Sequence, residues 1–464
     1  MTKLKPHQII AGIVAVLVLV AALIPGLLAD TAATRTLAVL LFTLIMLIFE
    51  IMPLPIVCLL SVALLFAFKC VNSFSDALCG YANHILYFTM ASFGLSAALT
   101  KSLYCQRLLF WLFKRLGKSA RQILVSIMLS TAVLSAFISN VAATVIFMPF
   151  ALQFLENYEG EAKVKAKRVF MIGITLAAMI GGMSTPAGSS INLLVIDAVE
   201  NSTGAGIPFV KWMMYGIPIT ACMLALAIFF LTLVFKLPAL PSQGIESFLT
   251  SLSHGDQKAG RQDRYIIILV GLTIAAWIAS SWIPALHTSM VALVALAFLF
   301  IPGHAVLTWD EFSRANSWPA FFIAGTMISV GSAVVSSGLA EQISSVLFPG
   351  VTGLPLPVAL ALIAGATFIF MVAVPVAPAS ANILLPIVCM FANANGMNPV
   401  MLAMVCGLCV ENCYLLPLDT VPVVTFSQNG YKMFDLPKVT IWLQLSMIIV
   451  VCLLFPLLNT IAPL

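Results

Sequence analysis

The chain is short of charge. Only 8% of its 464 residues are Asp, Glu, Lys or Arg, against about 25% in a soluble domain. That scarcity leaves too little polar surface for a water-soluble globule. It also lacks the motifs of enzymes. There is no Gly-x-Ser-x-Gly turn, no zinc-ligand pattern and no paired acid–base constellation. A Walker loop is missing too, so any pumping draws on an ion or solute gradient rather than on ATP. No Ala-x-Ala cleavage site follows the first apolar run, which is too long for a signal-peptide core, so it reads as a retained helix. The ten cysteines are scattered through apolar runs. Cys406, Cys409 and Cys413 share one helix face, where small buried packing residues are the favoured reading and a metal set the lesser one.

What is present is apolar. Hydrophobic residues make up 62% of the chain, and the mean hydropathy is +1.11. Runs near 20 residues recur throughout, each long enough to cross a hydrocarbon core of about 30 Å as a helix. The reading is an all-α polytopic membrane protein. Helices are expected at 8–29, 35–50, 53–70, 83–100, 169–199, 213–236, 265–283, 287–301, 318–346, 400–427 and 438–462, about eleven spans. Segments 122–155 and 355–393 are too long for one helix and short for two. Polar residues or prolines interrupt each, so each reads as a re-entrant hairpin. The longest polar stretch, 237–264, reads as a cytoplasmic linker between two halves. Domains are expected at 1–121, 122–236, 237–264, 265–354 and 355–464.

The placement of the charges orients the chain. Of the 22 Lys and Arg, 19 can lie on one side, leaving Arg35, Lys69 and Lys211 on the other. The richer side is cytoplasmic by the positive-inside rule. This puts the N-terminus in the cytoplasm and the C-terminus outside, in a cell or plasma membrane. The same bias accounts for the basic loops without nucleic acid as a partner. Basic flanks put the first hairpin in from the cytoplasm, and the second, with none, in from outside.

The halves look related. In "SNVAATVIFMPF", Val141 stands eight residues before Pro149; in "VAPASANILLPI", Pro378 stands eight before Pro386. "GGMSTPAGSSIN" (181–192) has its partner in "YLLPLDTVPVV" (414–424). The second copy starts from the opposite side, so the repeat is inverted. Paired interrupted segments in inverted halves point to a secondary transporter with a midplane site. Freed backbone groups at a break must be satisfied by protein, water or ligand. Carbonyl oxygens and a Ser hydroxyl suit an alkali cation, while free N–H groups at half-helix starts suit a carboxylate. Asn140 offers both an acceptor and two donors. Ser139 and Asn140 therefore read as a tip where a cation and an anion meet.

Several motifs, in order over nearly the whole chain, resemble the divalent-anion:sodium symporter family, the carriers of dicarboxylates, citrate and sulfate. "FEIMPLPIVCLL" (49–60) resembles its Glu-Ala-Ile-Pro-Leu-Pro signature, and "FISNVAATVIFMPF" its first Ser-Asn-Thr motif. "GGMSTPAGSSINLLV" resembles its Thr-Pro-x-Gly-Thr-x-x-Asn broken helix, and "GLAEQI" (338–343) a recurrent stretch before the second hairpin. The resemblance implies an elevator-type homodimer. A scaffold holds the interface, and a transport domain of two hairpins and two broken helices carries substrate and sodium. It implies a sodium site at Ser139, Asn140 and Gly188, and substrate contacts at Asn140, Val141, Ser189, Pro378, Thr420 and Pro422. No cofactor is implied.

The sequence also departs from that pattern. Val141 replaces a hydroxyl residue. Val376-Ala377-Pro378 replaces the second Ser-Asn-Thr, so two side-chain ligands of a second sodium site are gone. Ser380 and Asn382 lie close by, on partly different helix faces. Asp419 stands where a small residue is expected. An aspartate at mid-span costs about 2.5–3.5 kcal/mol on insertion scales and is usually functional. It is open to three roles: cation or proton coupling, substrate orientation, or hydrogen bonding at the break. Glu411, eight residues earlier, either lines the same cavity or forms a structural pair. Glu50 favours a structural or interfacial role, and Asp197 and His84 lie near helix ends.

The function expected is secondary active transport of small organic anions, C4 dicarboxylates foremost, coupled to sodium. The alternative is a sodium-independent or proton-linked anion exchanger of the same fold, for dicarboxylates or for a monoanion or sulfonate. A channel is the distant third, since it wants a continuous lined pore.

Overall fold

A computed structural model describes residues 6–24, 31–49, 51–116, 119–240, 245, 248, 260–283, 285–347, 354–374, 377–412, 415–416 and 419–464. Glu50, Val376, Cys413 and most of the 237–264 linker lie outside the described residues.

All regular structure among the described residues is helical. The helices are α1 Pro6–Leu23, α2 Ala32–Ile48, α3 Leu54–Ala67, α4 Phe74–Ala77, α5 His84–Thr100, α6 Leu103–Leu116 and α7 Ala120–Ser135. Then come α8 Asn140–Leu155, α9 Gly160–Gly182, α10 Ser190–Thr203, α11 Phe209–Val234, α12 Arg261–Ala279, α13 Thr288–Phe298 and α14 Trp309–Ala315. Last are α15 Trp318–Ser336, α16 Leu339–Leu347, α17 Leu356–Ala373, α18 Ala377–Ala394, α19 Pro399–Glu411, α20 Thr420–Phe426 and α21 Pro437–Ile461. Among the described residues, α11, α12, α15, α18 and the stretch Met433–Ile461 are long and apolar enough to cross a membrane.

The chain forms two compact units. The first comprises Met1–Met90, Leu194–Gly206 and Ser317–Val410; the second comprises Ala91–Leu193, Ile207–Asn316 and Glu411–Leu464.

In the first unit, α2 packs between α1 and α3, and α3 packs on α15. Thr31 caps α2 by accepting from the Thr34 N–H at 3.2 Å. Buried Thr43 of α2 bonds Ser61 of α3 at 2.8 Å, so two hydroxyls satisfy each other inside an apolar contact. The single span expected over 318–346 is two helices. Gly338, at φ +76°, ends α15 and turns the chain into α16. Only glycine takes that left-handed turn without strain, and it is a common helix stop. α17 and α18 pack on each other as a helix pair, and α18 also packs on α15 and α16.

In the second unit, α9 is the centre. Its first turns carry Lys163, Lys165, Lys167 and Arg168, and from Val169 to Gly182 every residue is buried. A helix apolar all round belongs in an interior, and α7, α8, α11 and α20 surround it. α7 and α8 form the second helix pair, joined over 136–139. Each pair breaks near the middle of its segment, at Ser139 and Asn140 in the first and between Ala373 and Ala377 in the second. Pro149 and Pro386 lie inside α8 and α18; such prolines are tolerated where neighbours re-satisfy the backbone.

The sequence reading placed no element between 100 and 122, yet α6 fills it. Its residues "LYCQRLLFWLFKRL" alternate apolar and basic at helical spacing. Mean hydropathy conceals such a helix, because one face is charged. It packs on α7 and α12. Arg107 lies over the Tyr104 ring and Arg115 over Trp111, each 5.4 Å from the centroid.

Two ionic ties hold this unit, the first outside its spanning helices. Lys101 Nζ stands 2.6 Å from Glu311. That hydrogen bond, with the backbone N–H of Thr308, holds the Glu311 carboxyl down to about 2. In the second, Asp435 is buried beside Lys438, at 2.8 Å, and Arg168, at 3.2 Å.

Candidate anion and cation site

The second unit's site is built on two interruptions: the turn between α7 and α8, and the gap between α9 and α10. At the α9 end, carbonyls lose their helical partners. Side chains take them up. Ser184 Oγ donates to Gly181 O at 2.8 Å and Trp212 Nε1 to Met183 O at 3.0 Å. Asn192 Nδ2 donates to both Gly182 O and Thr185 O at 2.8 Å. The Thr185 hydroxyl donates to Ala136 O across to the first turn. The freed backbone is thus satisfied by protein, as a break in an apolar interior requires.

Gly188 sits in that gap against bare backbone. A Cβ there would stand 2.4 Å from Gly182 O and 2.9 Å from Ser135 O. Gly182 in turn leaves room for Asn140, whose Oδ1 would meet a Cβ at 2.4 Å. Both positions admit glycine alone. They bring the carbonyl oxygens of Ser135 and Gly182 against Gly188, and Asn140 Oδ1 against Gly182.

Asn140 opens α8. Its Oδ1 lies 2.7 Å from Ser135 Oγ, and its Nδ2 donates to Glu411 Oε1 at 2.5 Å. Ser189 Oγ donates to Glu411 Oε2 at 2.7 Å. Glu411, the last residue of α19, is 3% exposed. So a buried carboxylate bridges the two interruptions. The Ser139 hydroxyl makes no cap bond to α8; its N–H donates to Ser96 Oγ at 3.3 Å.

The structure therefore brings Asn140, Gly188 and Ser189 together with Ser139 and Val141 of the same turn. α20 packs on α8 and α9, which carries Thr420 and Pro422 to the same elements. Pro422 is buried, and its carbonyl accepts from Tyr431 at 3.0 Å and Thr425 at 3.1 Å. Thr420 is exposed. Asp419 caps α20, its Oδ1 accepting from the Thr420 N–H at 2.6 Å. Pro378 belongs to the first unit, at the start of α18. There Asn382 Nδ2 donates to the Pro378 carbonyl at 2.8 Å, and Ser380 Oγ donates to Val374 O at 2.7 Å.

Two participants, Ser135 and Asn192, are not placed in the site by the sequence, and a third, Glu411, is left there between lining the cavity and forming a structural pair. Ser135 sits in an ordinary helical run and carries no signal. Asn192 carried one: it is the last position of the Thr-Pro-x-Gly motif, and its Oδ1 is buried without a partner. Glu411 carried the strongest, an acidic residue inside "LAMVCGLCVENCYLLPL". What was missing was its partner, 271 residues away. Among the described residues, no group of three or more His, Cys, Asp or Glu comes together to hold a metal ion.

Comparison with known proteins agrees with this chemistry. The chain is 24% identical over 399 residues to the sodium-dependent dicarboxylate transporter SdcS of Staphylococcus saprophyticus, covering 80% of this chain and 76% of that protein. Its counterpart in Staphylococcus aureus (strain USA300) is 23% identical over the same length, with the same coverage. An uncharacterized transporter of Haemophilus influenzae is 26% identical over 472 residues, 97% of each chain. The fold resembles that in the crystal structure of the Alcanivorax borkumensis YdaH transporter, with a TM-score of 0.52 at 15% identity over 80% of this chain and 85% of that one. The citrate transporter family model matches residues 44–407. A multi-pass membrane protein with this match over most of its length is a transporter and not an enzyme, and it belongs to the citrate transporter family.

Proposed function

We propose that this chain is a secondary active transporter of small organic anions of the C4 dicarboxylate class, coupled to sodium. The observation that carries the reading is the meeting of two interrupted segments at Asn140 and Ser189, with carbonyl oxygens packed around Gly188. The two donors match a carboxylate. Asn140 Oδ1 and the oxygens of Ser135, Ser139 and Gly182 match sodium. Sodium dependence of the Staphylococcus relatives supports the choice of ion. In this reading Ser139, Asn140 and Gly188 hold the ion. Asn140, Val141, Ser189, Pro378, Thr420 and Pro422 line the substrate, and Asp419 offers a further cation or proton site.

The mechanism proposed is an elevator. Two re-entrant hairpins in inverted repeats move with the two broken helices against a scaffold that forms a homodimer. The scarcity of Lys and Arg on one side supports a cytoplasmic N-terminus and an outer C-terminus.

The test is initial uptake of labelled succinate into proteoliposomes, with an inward sodium gradient or with potassium in its place. Strong stimulation by sodium is expected. A second reading, a sodium-independent exchanger, rests on the second tip, where Ser380 and Asn382 are bonded to their own helix pair. It predicts equal uptake in both salts, raised by succinate loaded inside. No uptake in either salt would overturn the dicarboxylate assignment in favour of monoanions or sulfonates.

A further inference from the structure

We propose that Glu411 ties anion loading to cation loading: an anionic substrate displaces its carboxylate from Asn140 and Ser189, and the displaced carboxylate then holds the coupling cation. This rests on the transport reading above and adds the residue that couples the two solutes.

The argument begins with occupancy. Glu411 takes one hydrogen bond from Asn140 Nδ2 and one from Ser189 Oγ, a separate oxygen for each. Two donors on two oxygens is how an ionised carboxylate is bound. Ser189 has a single proton to give, and its oxygen already accepts from the Ile191 N–H at 3.2 Å. The face of Asn140 is fixed as well, because its Oδ1 lies against the Ser135 hydroxyl. The Ser189 hydroxyl cannot serve Glu411 and a substrate carboxylate together, and one of the two Asn140 N–H groups is already committed to Glu411. The protein's own carboxylate stands where the substrate's would.

Displacement then creates a charge problem. Glu411 is buried, and none of the ion pairs among the described residues involves it. A carboxylate pushed off its donors in such a place needs a counter-charge, since a buried unpaired charge is costly. The arriving anion makes the need greater. A cation satisfies both. The same break offers further hard oxygen: the Asn412 amide is wholly buried, with neither Oδ1 nor Nδ2 partnered. An unpaired buried amide of this kind calls for a ligand.

The experiment compares wild type with Glu411→Gln in proteoliposomes, measuring the KM for succinate in sodium and in potassium. For the wild type, sodium is expected to lower KM by about tenfold or more. For Glu411→Gln, the two values should agree within about twofold, and succinate counterflow should proceed without sodium. A wild-type ratio in Glu411→Gln overturns the inference and leaves the transport reading standing. A wild type without sodium dependence overturns the reading and the inference together. If the glutamine variant does not fold, Glu411→Asp serves. Its carboxylate, drawn back by one methylene, reaches one donor and not both, so KM in potassium should fall by about threefold or more. An unchanged KM in potassium overturns the inference.

Discussion

The two helix pairs, α7–α8 in the second unit and α17–α18 in the first, occupy matching places in the sequence and use their polar residues differently. At the first tip, Asn140 reaches out of its pair to Glu411, while Ser139 uses only its backbone N–H, on Ser96. At the second, Ser380 and Asn382 bond carbonyls of their own pair, Val374 O and Pro378 O. The first spends the Asn140 side chain on a partner that a ligand can replace. The second spends its side-chain hydrogen bonds on its own backbone. A polar residue near a break is thus no evidence of a binding site until its partner is known.

The largest expected effect sharpens this contrast with one kind of substitution. Gly188→Ala places a methyl 2.4 Å from Gly182 O and 2.9 Å from Ser135 O, both backbone. Neither can move without dismantling the break, so loss of folded protein or of all uptake is expected. Gly365→Ala, in α17, meets nothing within 4 Å. There the extra helix propensity should stabilise by about 0.4–1 kcal/mol. Detergent-solubilised melting temperatures and uptake measure both. A tolerated Gly188→Ala would break the comparison.

Next comes the tip itself. Asn140→Ala removes one of two donors from a buried carboxylate and the amide proposed to bind both solutes. Uptake is expected to fall by roughly 100-fold, equivalent to about 2.8 kcal/mol. Asn382→Ala, its counterpart in the second tip, should leave uptake within about twofold. Normal transport in Asn140→Ala would remove the first tip from the site.

Much of this was legible in the sequence. The apolar runs marked four of the five helices long enough to span, α11, α12, α15 and the stretch Met433–Ile461, because a helix of 18 or more apolar residues has few other places to be. The Ser-Asn pair and the Thr-Pro-x-Gly stretch marked the breaks, because Gly188 and Asn140 serve geometric needs that few other residues meet. What was hidden depended on distance or averaging. Glu411 shows its importance only beside Asn140 and Ser189. α6 vanished because its basic face cancels its apolar one. The turn at Gly338 is hidden by the length of the stretch, which suits a single span, although Ser336-Ser337-Gly338 reads as a helix stop.

A smaller effect belongs to neither tip and serves as a control. Asp435→Asn removes the carboxylate shared by Lys438 and Arg168 and should cost about 2 kcal/mol. The variant should melt at a lower temperature than the wild type, while the sodium dependence of uptake stays unchanged. A selective change in that dependence would mean the ion pair does more than hold the fold.

The smallest expected effect is the most pointed about the second tip. Ser380 is fully buried, and its hydroxyl donates to Val374 O at 2.7 Å. Ser380→Ala deletes that bond and leaves the carbonyl of a residue at the turn without it. A loss of about 1 kcal/mol is expected, the usual net worth of one hydrogen bond. If the hydroxyl instead served as a cation ligand, the stability change would be similar, so stability alone does not separate the roles. The sodium concentration giving half-maximal uptake does. A structural hydroxyl leaves it unchanged when removed. A ligand hydroxyl raises it severalfold, because the ion loses one of a small number of hard oxygens. An unchanged value keeps the two tips distinct, with ion binding confined to the first. A raised value would give the second tip a cation of its own and make the two halves chemically alike after all.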